Sequence, residues 1–390
     1  MLRVLTLSTL FPNAARPTLG VFVERQTLGL AARPDVALQV VAPVGLPPWP
    51  LSLHSHYRPL VGLAQCETWK GLTVHRPVYR AWPRLGAKGT AARIADALLP
   101  VLRDIRMRFA FDVIDAEYFW PDGPAAMRLA DALGIPFSIK ARGSDIHHWG
   151  VQPGIGVEIV EAGQCADGLL AVSAALREDM IGLGMPSERI RVHHTGIDLD
   201  RFQPVERAAA KAELGVVGPL LVTAGALIER KGQAIAIEAI KELSGATLIL
   251  VGEGPDRAAL ERLAQRLGVS DRVRFLGSRP HADLPALLAA ADVAVQPSGF
   301  EGIANVWVEA MACGTPVVTC DVGGAREAID RVAAGRLVAR EPAAFAQAIR
   351  ALLAVPPPQA AVRAAAERFS WERNAVELFS HLSGIVMRRA

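Results

Sequence analysis

The feature that most constrains the fold is an alternation of short apolar runs with helical stretches, which occurs twice along the 390 residues. Such an alternation predicts parallel strands joined by crossover helices. Strands are predicted in the first block at residues 3–8, 38–42, 113–115, 137–140, 168–172 and 191–193, with helices such as 20–32 and 123–133. Strands are predicted in the second block at 220–224, 247–251, 273–275, 292–296 and 316–319, with helices at 231–242, 257–267, 284–290 and 305–312. The sequence therefore predicts an α/β protein with two Rossmann-like, doubly wound domains.

Three segments fall outside this alternation. Residues 196–204 fit neither period and are expected to connect the blocks, so the domains are predicted at 1–204 and 205–369, with a final helical segment at 370–390. Section 44–90 is rich in Pro, Trp and His, and is expected to be irregular and to carry substrate-facing loops. Ser173 is predicted to cap a helix over 174–182 rather than to act as a nucleophile, because no G-x-S-x-G surrounds it.

Cysteine usage and hydropathy exclude several classes of protein. The four cysteines show neither a CxxC pair nor a spacing with histidines that would suit zinc, so no metal site is expected. The first residues lead into a strand without a signal-peptide pattern, and no run approaches eighteen apolar residues. These observations predict a cytoplasmic protein with reduced thiols and no membrane span.

Positive charge is concentrated in the first 110 residues, which contain 14 Lys or Arg and 5 Asp or Glu in a chain of net charge +3. Much of it comes from Arg76, Arg80, Arg84, Lys88, Arg93, Arg103, Arg106 and Arg108, near Trp49, Trp69 and Trp82. Basic residues beside aromatic ones predict a face for a membrane surface, although a solvated basic face fits the pattern equally. No nucleic-acid-binding motif accompanies the charge, so nucleic acid is not expected as a partner.

Two carboxylates flank a predicted helix start in the second block. Glu301 follows a strand in a Gly-containing turn, and Glu309 lies eight residues later in a helix expected to begin near Asn305. Eight helical residues span about 12 Å, which exceeds the roughly 5–9.5 Å between the carboxyls of a glycosidase. Free N–H groups at a helix start bind anions. The spacing suits a ligand with hydroxyls at both ends and a diphosphate between them, a nucleotide sugar; a buried helix with a capping carboxylate and a surface charge is the alternative.

The residues around these carboxylates match a longer pattern, S-x-x-E-G, then E-A-x-A-x-G-x-P-V-V, then G-G-x-x-E. The matching positions are Ser298, Glu301, Gly302, Glu309, Ala310, Ala312, Gly314, residues 316–318, Gly323, Gly324 and Glu327. This segment resembles the donor-site signature of glycosyltransferase family 4, retaining enzymes of the GT-B fold. Residues 196–204 are similar to the family's interdomain crossing, with Thr195 where Asn is usual, and the tail is similar to its final helix. The resemblance implies an acceptor-binding and a nucleotide-sugar-binding domain that face an interdomain cleft, with the last helix crossing back onto the N-terminal domain.

The resemblance also implies roles at the donor site. Glu301 would meet hydroxyls of the donor sugar near the reacting carbon, and Glu309 would meet the ribose hydroxyls. The backbone N–H groups implied for the distal phosphate are those of Gly302, Ile303, Ala304 and Asn305. Asn305 is also a candidate helix N-cap. Gly20 would lie under the donor phosphates or simply begin a helix, and Arg279 ends the stretch that would lie against the base.

The loop after the first strand of the second block carries two cations. Lys231 matches the family's lysine, whereas Ala226 stands where an arginine is usual. Arg230 is the candidate replacement, with a surface position as the alternative. Such cations neutralise a diphosphate and stabilise it as a leaving group, so Glu301, Lys231 and Arg230 are the candidate catalytic residues.

In the first domain, Arg142 and Asp145 follow a predicted strand and are expected to face the cleft on the acceptor side. Many family members have a histidine where Arg142 stands. An arginine remains protonated and cannot act as a base, so the leaving phosphate is expected to take the acceptor proton. Binding a phosphate and fixing Asp145 are alternative tasks for Arg142.

The sequence therefore predicts a metal-independent glycosyltransferase that needs no cofactor. Its partners would be a nucleotide diphosphate sugar and a lipid-linked glycan acceptor at the inner face of the membrane, in exopolysaccharide or cell-envelope assembly. A sugar-nucleotide epimerase on the same fold and a non-catalytic nucleotide-sugar-binding protein are the alternatives.

Overall fold

The computed structural model describes residues 1–82 and 87–389 and separates into two compact units. The first unit contains Met1–Gly196 together with Trp371–Ala390, and the second contains Ile197–Ser370. The division falls eight residues before the one expected from sequence. The reason is packing, because Ile197 and Phe202 are buried in the core of the second unit. The Ile197 N–H also donates a 2.7 Å hydrogen bond to the carbonyl of Phe369.

The first unit is a Rossmann-like, doubly wound domain. Its strands are β1 (Leu2–Leu7), β2 (Val36–Val41), β3 (Val44–Leu46), β4 (Cys66–Trp69), β5 (Leu72–His75), β6 (Val78–Arg80), β7 (Val113–Ala116), β8 (Phe137–Ala141), β9 (Gly168–Ala171) and β10 (Ile190–Val192). Its helices before the chain crossing are α1 (Val21–Ala31), α2 (Arg58–Val61), α3 (Thr90–Arg108), α4 (Asp122–Leu133), α5 (Ile155–Cys165) and α6 (Ala174–Gly182). Within the described residues the main sheet has the order β10-β9-β8-β7-β1-β2-β5-β4, and only β4 runs antiparallel to its neighbour.

The second unit has the same kind of topology. Its strands are β11 (Leu220–Ala224), β12 (Thr247–Val251), β13 (Val273–Gly277), β14 (Val293–Gln296), β15 (Val317–Cys320) and β16 (Gly335–Val338). Its helices are α7 (Arg207–Glu213), α8 (Gln233–Lys241), α9 (Arg257–Arg266), α10 (Leu284–Ala290), α11 (Asn305–Ala312), α12 (Ala325–Ala328), α13 (Pro342–Ala354) and α14 (Gln359–Ala366). The sheet order β13-β12-β11-β14-β15-β16 is that of a dinucleotide-binding fold.

Both sheets are covered on both faces, which explains the nearly continuous apolar runs in their strands. In β1 the successive residues Val4 and Leu5 pack into clusters on opposite faces of the sheet. The last helix, α15 (Trp371–Arg389), returns to the first unit, where Leu378 and Leu382 join the cluster of Val4. In β11, Leu221 and Val222 divide in the same way between two clusters.

The topology determines where ligands can reach each unit. In an open parallel sheet, ligands bind at the carboxyl ends of the strands where the strand order reverses. That reversal lies between β1 and β7 in the first unit and between β11 and β14 in the second. A ligand-binding site is therefore expected in the loops that follow these four strands.

Two local predictions had different outcomes. The Ser173 Oγ accepts a 3.1 Å hydrogen bond from the N–H of Leu176 at the start of α6, so the predicted cap is confirmed. The prediction that section 44–90 is irregular was wrong for much of its length, because β3–β6 and α2 lie there. These strands are three or four residues long and largely half-exposed, so they leave little periodic signal in the sequence.

Candidate active site

The loops that follow β11 and β14 approach each other closely at the reversal point of the second unit. The N–H of Gly299 donates a 2.8 Å hydrogen bond to the carbonyl of Arg230. Gly232 has φ +71°, and a Cβ there would lie 2.2 Å from the carbonyl oxygen of Pro297. Only glycine permits this backbone conformation at such a short approach, so the loop sequence itself brings the two segments together.

The Glu301 carboxylate lies close to both cations of these two loops. Lys231 Nζ forms an ion pair with Glu301 Oε1, and Arg230 Nη1 lies 3.9 Å from Oε2. Arg230 also donates a 2.6 Å hydrogen bond to the carbonyl of Phe300. The Glu301 side chain is 10% exposed, that of Lys231 19% and that of Arg230 45%. The structure thus brings the three candidate catalytic residues together, at the edge where ligands bind in this fold.

A pair of glycines supports the loop that carries Glu301. Gly323 has φ +49°, and a Cβ there would lie 1.8 Å from the carbonyl oxygen of Glu301. The N–H of Gly324 donates a 2.7 Å hydrogen bond to the carbonyl of Gly302. The Gly-Gly element of the family pattern therefore has a packing role, since a side chain at Gly323 would displace the carboxylate loop.

The N-terminus of α11 differs in one respect from the prediction. Its N-cap is Ala304, with φ −72° and ψ 122°, and Asn305 is the exposed first residue of the helix. The candidate role of Asn305 as N-cap was therefore wrong, because the chain enters the helix one residue earlier. In the described part of the chain, no hydrogen bond uses the N–H groups of residues 303–306. These free amides form a site where an anion can bind.

Glu309 lies one helical turn further on and is nearly buried. Its Oε1 lies 2.9 Å from Nε2 of His281, a residue that sequence reasoning missed. The His281 ring packs edge-to-face on Phe202, with the ring centroids 5.5 Å apart. The available signal was topological, since His281 follows β13 at the same edge of the sheet. Arg279 lies two residues before it and is exposed, without an ion pair to any other described residue.

Arg340 is a second residue that sequence reasoning missed. It donates hydrogen bonds of 3.0 Å to the carbonyl of Pro297 and 2.9 Å to that of Glu229. One guanidinium therefore fastens both loops of the site. No local pattern marks this arginine, which follows β16 and lies 43 residues beyond Pro297 in the chain.

In the first unit, Gly20 has a structural explanation of its own. It precedes α1 with φ +63°, and a Cβ there would lie 2.0 Å from the carbonyl oxygen of Leu10. The fold therefore requires glycine at this position whether or not a ligand approaches it. Its predicted place under the donor phosphates stays a prediction.

Arg142 and Asp145 lie in the loop after β8, and their side chains have different partners. The Asp145 carboxylate is fully buried and accepts hydrogen bonds from the N–H groups of Phe119, Arg142 and Gly143, at 2.7–3.0 Å. Burial raises the pKa of Asp145, and these hydrogen bonds act in the opposite direction. The guanidinium of Arg142 instead forms an ion pair with Glu117, so its side chain does not fix Asp145.

Glu117 belongs to a buried polar group that sequence reasoning did not anticipate. Lys140, on β8, is fully buried, and its Nζ contacts Gln26 Oε1 at 2.6 Å and His193 Nδ1 at 2.8 Å. Burial lowers the pKa of Lys140 to about 7, with the positive charge of Arg142 acting in the same direction. The sequence signal was a charged residue in a strand that otherwise contains only uncharged residues.

The predicted basic face is smaller in the structure. Arg76 is buried, where it forms an ion pair with Glu67, so it does not belong to a surface. Trp69 is half-buried and donates through Nε1 to Glu24. Arg84 lies outside the described residues. Trp49 remains, 78% exposed, and so does Trp82, 40% exposed.

Residues 1–82 and 87–389 contain neither a cluster of metal-ligating side chains nor a helix suited to cross a membrane. No three His, Cys, Asp or Glu side chains come together in a way that could hold a metal ion. No helix in those ranges combines the length and the apolar character that a membrane crossing needs.

Comparison with known proteins gives consistent matches along the chain. Residues 61–201 match the family model described as Glycosyltransferase Family 4, and residues 218–355 match that of Glycosyl transferases group 1. Sucrose-phosphate synthase from Thermosynechococcus elongatus superposes with a TM-score of 0.78 at 21% identity, over 100% of both chains. HepE from Anabaena, solved with UDP-glucose, has a TM-score of 0.69 at 21% identity, over 98% of this chain and all of its own. At this identity the two structures establish the fold.

Sequence similarity establishes the family. D-inositol 3-phosphate glycosyltransferase 1 of Catenulispora acidiphila is 32% identical over 311 residues, which are 73% of this chain and 73% of that protein. Two family models match successive parts of the same chain, and both units have the predicted Rossmann-like topology. The chain therefore belongs to glycosyltransferase family 4 and is a glycosyl-transferring enzyme.

Proposed function

We propose that this enzyme transfers a sugar, with retention of anomeric configuration, from a nucleotide diphosphate sugar to an acceptor hydroxyl. The observation that carries the proposal is the grouping of Lys231, Arg230 and Glu301 beside the free amides that begin α11. Cations and free amides together suit a diphosphate, and the carboxylate suits sugar hydroxyls. The UDP-glucose bound by Anabaena HepE supports the same class of donor.

The proposed donor lies along the carboxyl edge of the second sheet. Its diphosphate contacts Lys231, Arg230 and the amides of residues 303–306, while its sugar hydroxyls meet Glu301. The ribose hydroxyls meet Glu309. His281 contacts Oε1 of this carboxylate, so the other acceptor positions are left for the ribose. This arrangement assigns both carboxylates and both loop cations to parts of a single elongated ligand.

The proposed reaction needs no metal and no cofactor. The bond between the anomeric carbon and the phosphate oxygen breaks, and a bond to the acceptor oxygen forms on the same face of the sugar. The acceptor proton passes to the departing phosphate, and a nucleoside diphosphate leaves. Lys231 and Arg230 stabilise the negative charge that develops on that phosphate, which lowers the barrier to departure.

Calorimetric titration with UDP-glucose, GDP-mannose and ADP-glucose tests the donor class. We expect one of them to bind with a Kd near the micromolar range, about −8 kcal/mol, and Glu301→Gln to weaken sugar-nucleotide binding more than binding of the free nucleoside diphosphate. Glu213→Gln, which changes an exposed carboxylate of α7 in the same unit, is the matched control. Absence of binding by all three donors would contradict the proposal.

Incubation with the donor alone separates the alternative functions. A transferase releases nucleoside diphosphate slowly until an acceptor is added, because water is then the only acceptor. An epimerase would convert the donor to a second sugar nucleotide without any acceptor. A non-catalytic binding protein would leave the donor unchanged in both incubations.

For the acceptor, we propose a lipid-linked glycan at the cytoplasmic face of a membrane, as in exopolysaccharide or cell-envelope assembly. Exposed Trp49, Leu51 and Leu53 lie in one short segment with Arg58 nearby, which suits an interface with anionic lipid. Cosedimentation with phosphatidylglycerol vesicles should be lost in Trp49→Ser and at high salt. Equal binding to phosphatidylcholine vesicles, or none to either, would contradict the membrane assignment.

D-inositol 3-phosphate is the second candidate acceptor, because the relative with 32% identity is named for it. The assay is transfer from the donor found by calorimetry to D-inositol 3-phosphate, with free myo-inositol as the uncharged control. Transfer to the phosphate ester alone would favour this acceptor over a lipid-linked glycan.

A further inference from the structure

The first unit contains a continuous set of polar contacts in its interior, at the carboxyl ends of β7 and β8. Glu117, immediately after β7, is completely buried. Its carboxylate forms an ion pair with Arg142 and accepts a hydrogen bond from Gln26 Nε2. Its backbone carbonyl accepts a 2.7 Å hydrogen bond from Arg142 Nε. Glu117 therefore holds two of the three guanidinium nitrogens of Arg142.

A second layer of contacts holds Glu117 in turn. Lys140 Nζ donates to Gln26 Oε1 at 2.6 Å and to His193 Nδ1 at 2.8 Å. The Glu117 carboxylate only accepts, so Gln26 must present its NH₂ group to it. The Asn374 carbonyl also only accepts, so His193 must carry its proton on Nε2. His193 Nε2 then donates to the carbonyl of Asn374, at 2.9 Å. The carboxylate of Glu117 and the carbonyl of Asn374 thus determine the direction of each hydrogen bond between them.

The result of this arrangement is a guanidinium with one free nitrogen. The Arg142 side chain is 6% exposed, and its Cζ lies 4.7 Å from the centroid of the Phe22 ring. In the described part of the chain, Nη1 forms no hydrogen bond, whereas Nε and Nη2 are both bound to Glu117. Arg142 follows β8, the neighbour of β7, so its loop lies at the carboxyl edge of the sheet, where ligands bind in this fold.

We propose that Glu117 is a positioning residue, supported by Gln26 and Lys140, that holds Arg142 so that Nη1 is presented to the acceptor. This inference rests on the proposed function, in which the first unit binds the acceptor. A flexible arginine loses conformational entropy when it binds a ligand, and an arginine held in place beforehand loses less. Glu117 therefore acts on acceptor binding through Arg142, without touching the acceptor.

Side-chain NMR of isotope-labelled arginine tests the positioning without any substrate. In the wild-type enzyme the Nη2–H groups of Arg142 should exchange slowly with solvent, because Nη2 is bonded to the buried Glu117 carboxylate. Glu117→Gln keeps the shape of the side chain and removes its charge, and we expect exchange to accelerate about tenfold, the equivalent of about 1.4 kcal/mol. Gln26→Met, which removes only the supporting layer, should give a smaller acceleration. Unchanged exchange in both variants would overturn the proposal.

A double-mutant cycle distinguishes positioning from general structural damage. With UDP-glucose as donor and D-inositol 3-phosphate as acceptor, Glu117→Gln should raise the acceptor KM about tenfold and leave donor hydrolysis within about twofold. In an Arg142→Gln background, Glu117→Gln should have no further effect on the acceptor KM. An effect of equal size in both backgrounds would show that Glu117 acts on the fold and would overturn the proposal.

Glu24→Gln is the matched control. It breaks another ion pair of the first unit, that between the buried Glu24 and the exposed Lys70, and leaves Arg142 untouched. It should change neither the exchange at Arg142 nor the acceptor KM. If wild-type enzyme transfers to no acceptor, the proposed function fails, whereas the exchange measurement still decides whether Glu117 positions Arg142.

Discussion

The two units carry a carboxylate at the same topological position and use it differently. Glu117 follows β7 and Glu301 follows β14, and each of these strands lies across the reversal point from the first strand of its unit. Glu117 is fully buried and bonded to the side chains of Arg142 and Gln26. The Glu301 side chain is 10% exposed, and the two cations that it contacts are 19% and 45% exposed. Burial, rather than residue type or topological position, distinguishes the two carboxylates, and Glu301 is the one that we propose to meet a ligand.

The largest expected effect concerns the accessible carboxylate. Glu301→Gln should lower kcat by about 10²–10³ because the carboxylate that we propose to meet the reacting sugar becomes a neutral amide, while thermal unfolding stays close to wild type. Transfer assays with saturating donor measure the effect, and Glu213→Gln should remain near wild type. Near-normal transfer by Glu301→Gln would show that Glu301 is not catalytic, and the proposed difference from Glu117 would then be wrong.

Replacing one cation in each unit tests whether the buried cation contributes more to the free energy of unfolding than the exposed one. Lys140→Met leaves Gln26 and His193 without their buried donor, and should lower the free energy of unfolding by about 3 kcal/mol. Arg230→Met changes a side chain that is 45% exposed, and should lower it by about 1 kcal/mol or less. Urea denaturation measures both. Losses of equal size would show that the cations of the two units have the same role.

Substitution of Gly20 tests whether this glycine serves the fold of the first unit or a ligand. Gly20→Ala forces a side chain to within 2.0 Å of the Leu10 carbonyl at φ +63°, and should cost about 2 kcal/mol of unfolding free energy. Gly62→Ala is the control, because Gly62 has φ −90° and a Cβ added there would meet no atom within 4 Å, so stability should change by about 0.5 kcal/mol or less. A stable Gly20→Ala enzyme that loses only donor affinity would instead assign Gly20 to the ligand.

The smallest effect is a pH dependence confined to the first unit. His381 is buried, with Nε2 2.8 Å from Ser138 Oγ, and burial lowers its pKa from 6.5 to about 3. Between those values the unfolded chain binds a proton that the folded chain does not, so His381 costs stability as pH falls below 6.5. Asp122 acts with the opposite sign, since burial raises its pKa to about 7, so only a difference between variants isolates His381.

The informative variant is His381→Gln. At pH 7 it should be less stable than wild type by about 1 kcal/mol, because the hydrogen bond to Ser138 is altered. As pH falls from 6.5 it should regain about 1.4 kcal/mol per pH unit relative to wild type, and overtake it near pH 5.5–6. Urea midpoints at pH 7, 6 and 5 measure the crossing. A constant difference across this range would contradict the assignment.

The predictability of the site from sequence also differs between the units. In the second unit, Glu301, Gly302 and Glu309 occupy one short segment, so their motif could be found from local spacing alone. Lys231 is 70 residues away, but its own loop pattern identified it. His281 and Arg340 could not be found, because their contacts depend on where the loops after β13 and β16 come to lie.

In the first unit, the group around Glu117 was invisible to sequence reasoning. Gln26 lies 91 residues from Glu117, and His193 lies 181 residues from Asn374. Each of these residues has an ordinary interpretation in its own segment, and of the group only Lys140 places a charge inside a predicted strand of the main sheet. Arg142 was recognised as a departure from the family pattern, but its partner Glu117 was not.

The sequence by itself determined the two doubly wound units, the helix cap at Ser173 and the family, because hydrophobic periodicity and short motifs are local properties of the chain. The tertiary structure decided the boundary at Ile197, the entry into α11 at Ala304 and the burial of Glu117 with Arg142. It also decided which cations reach Glu301. These features depend on contacts between distant segments and on the helices that cover each sheet, and such contacts exist only once the sheets have assembled.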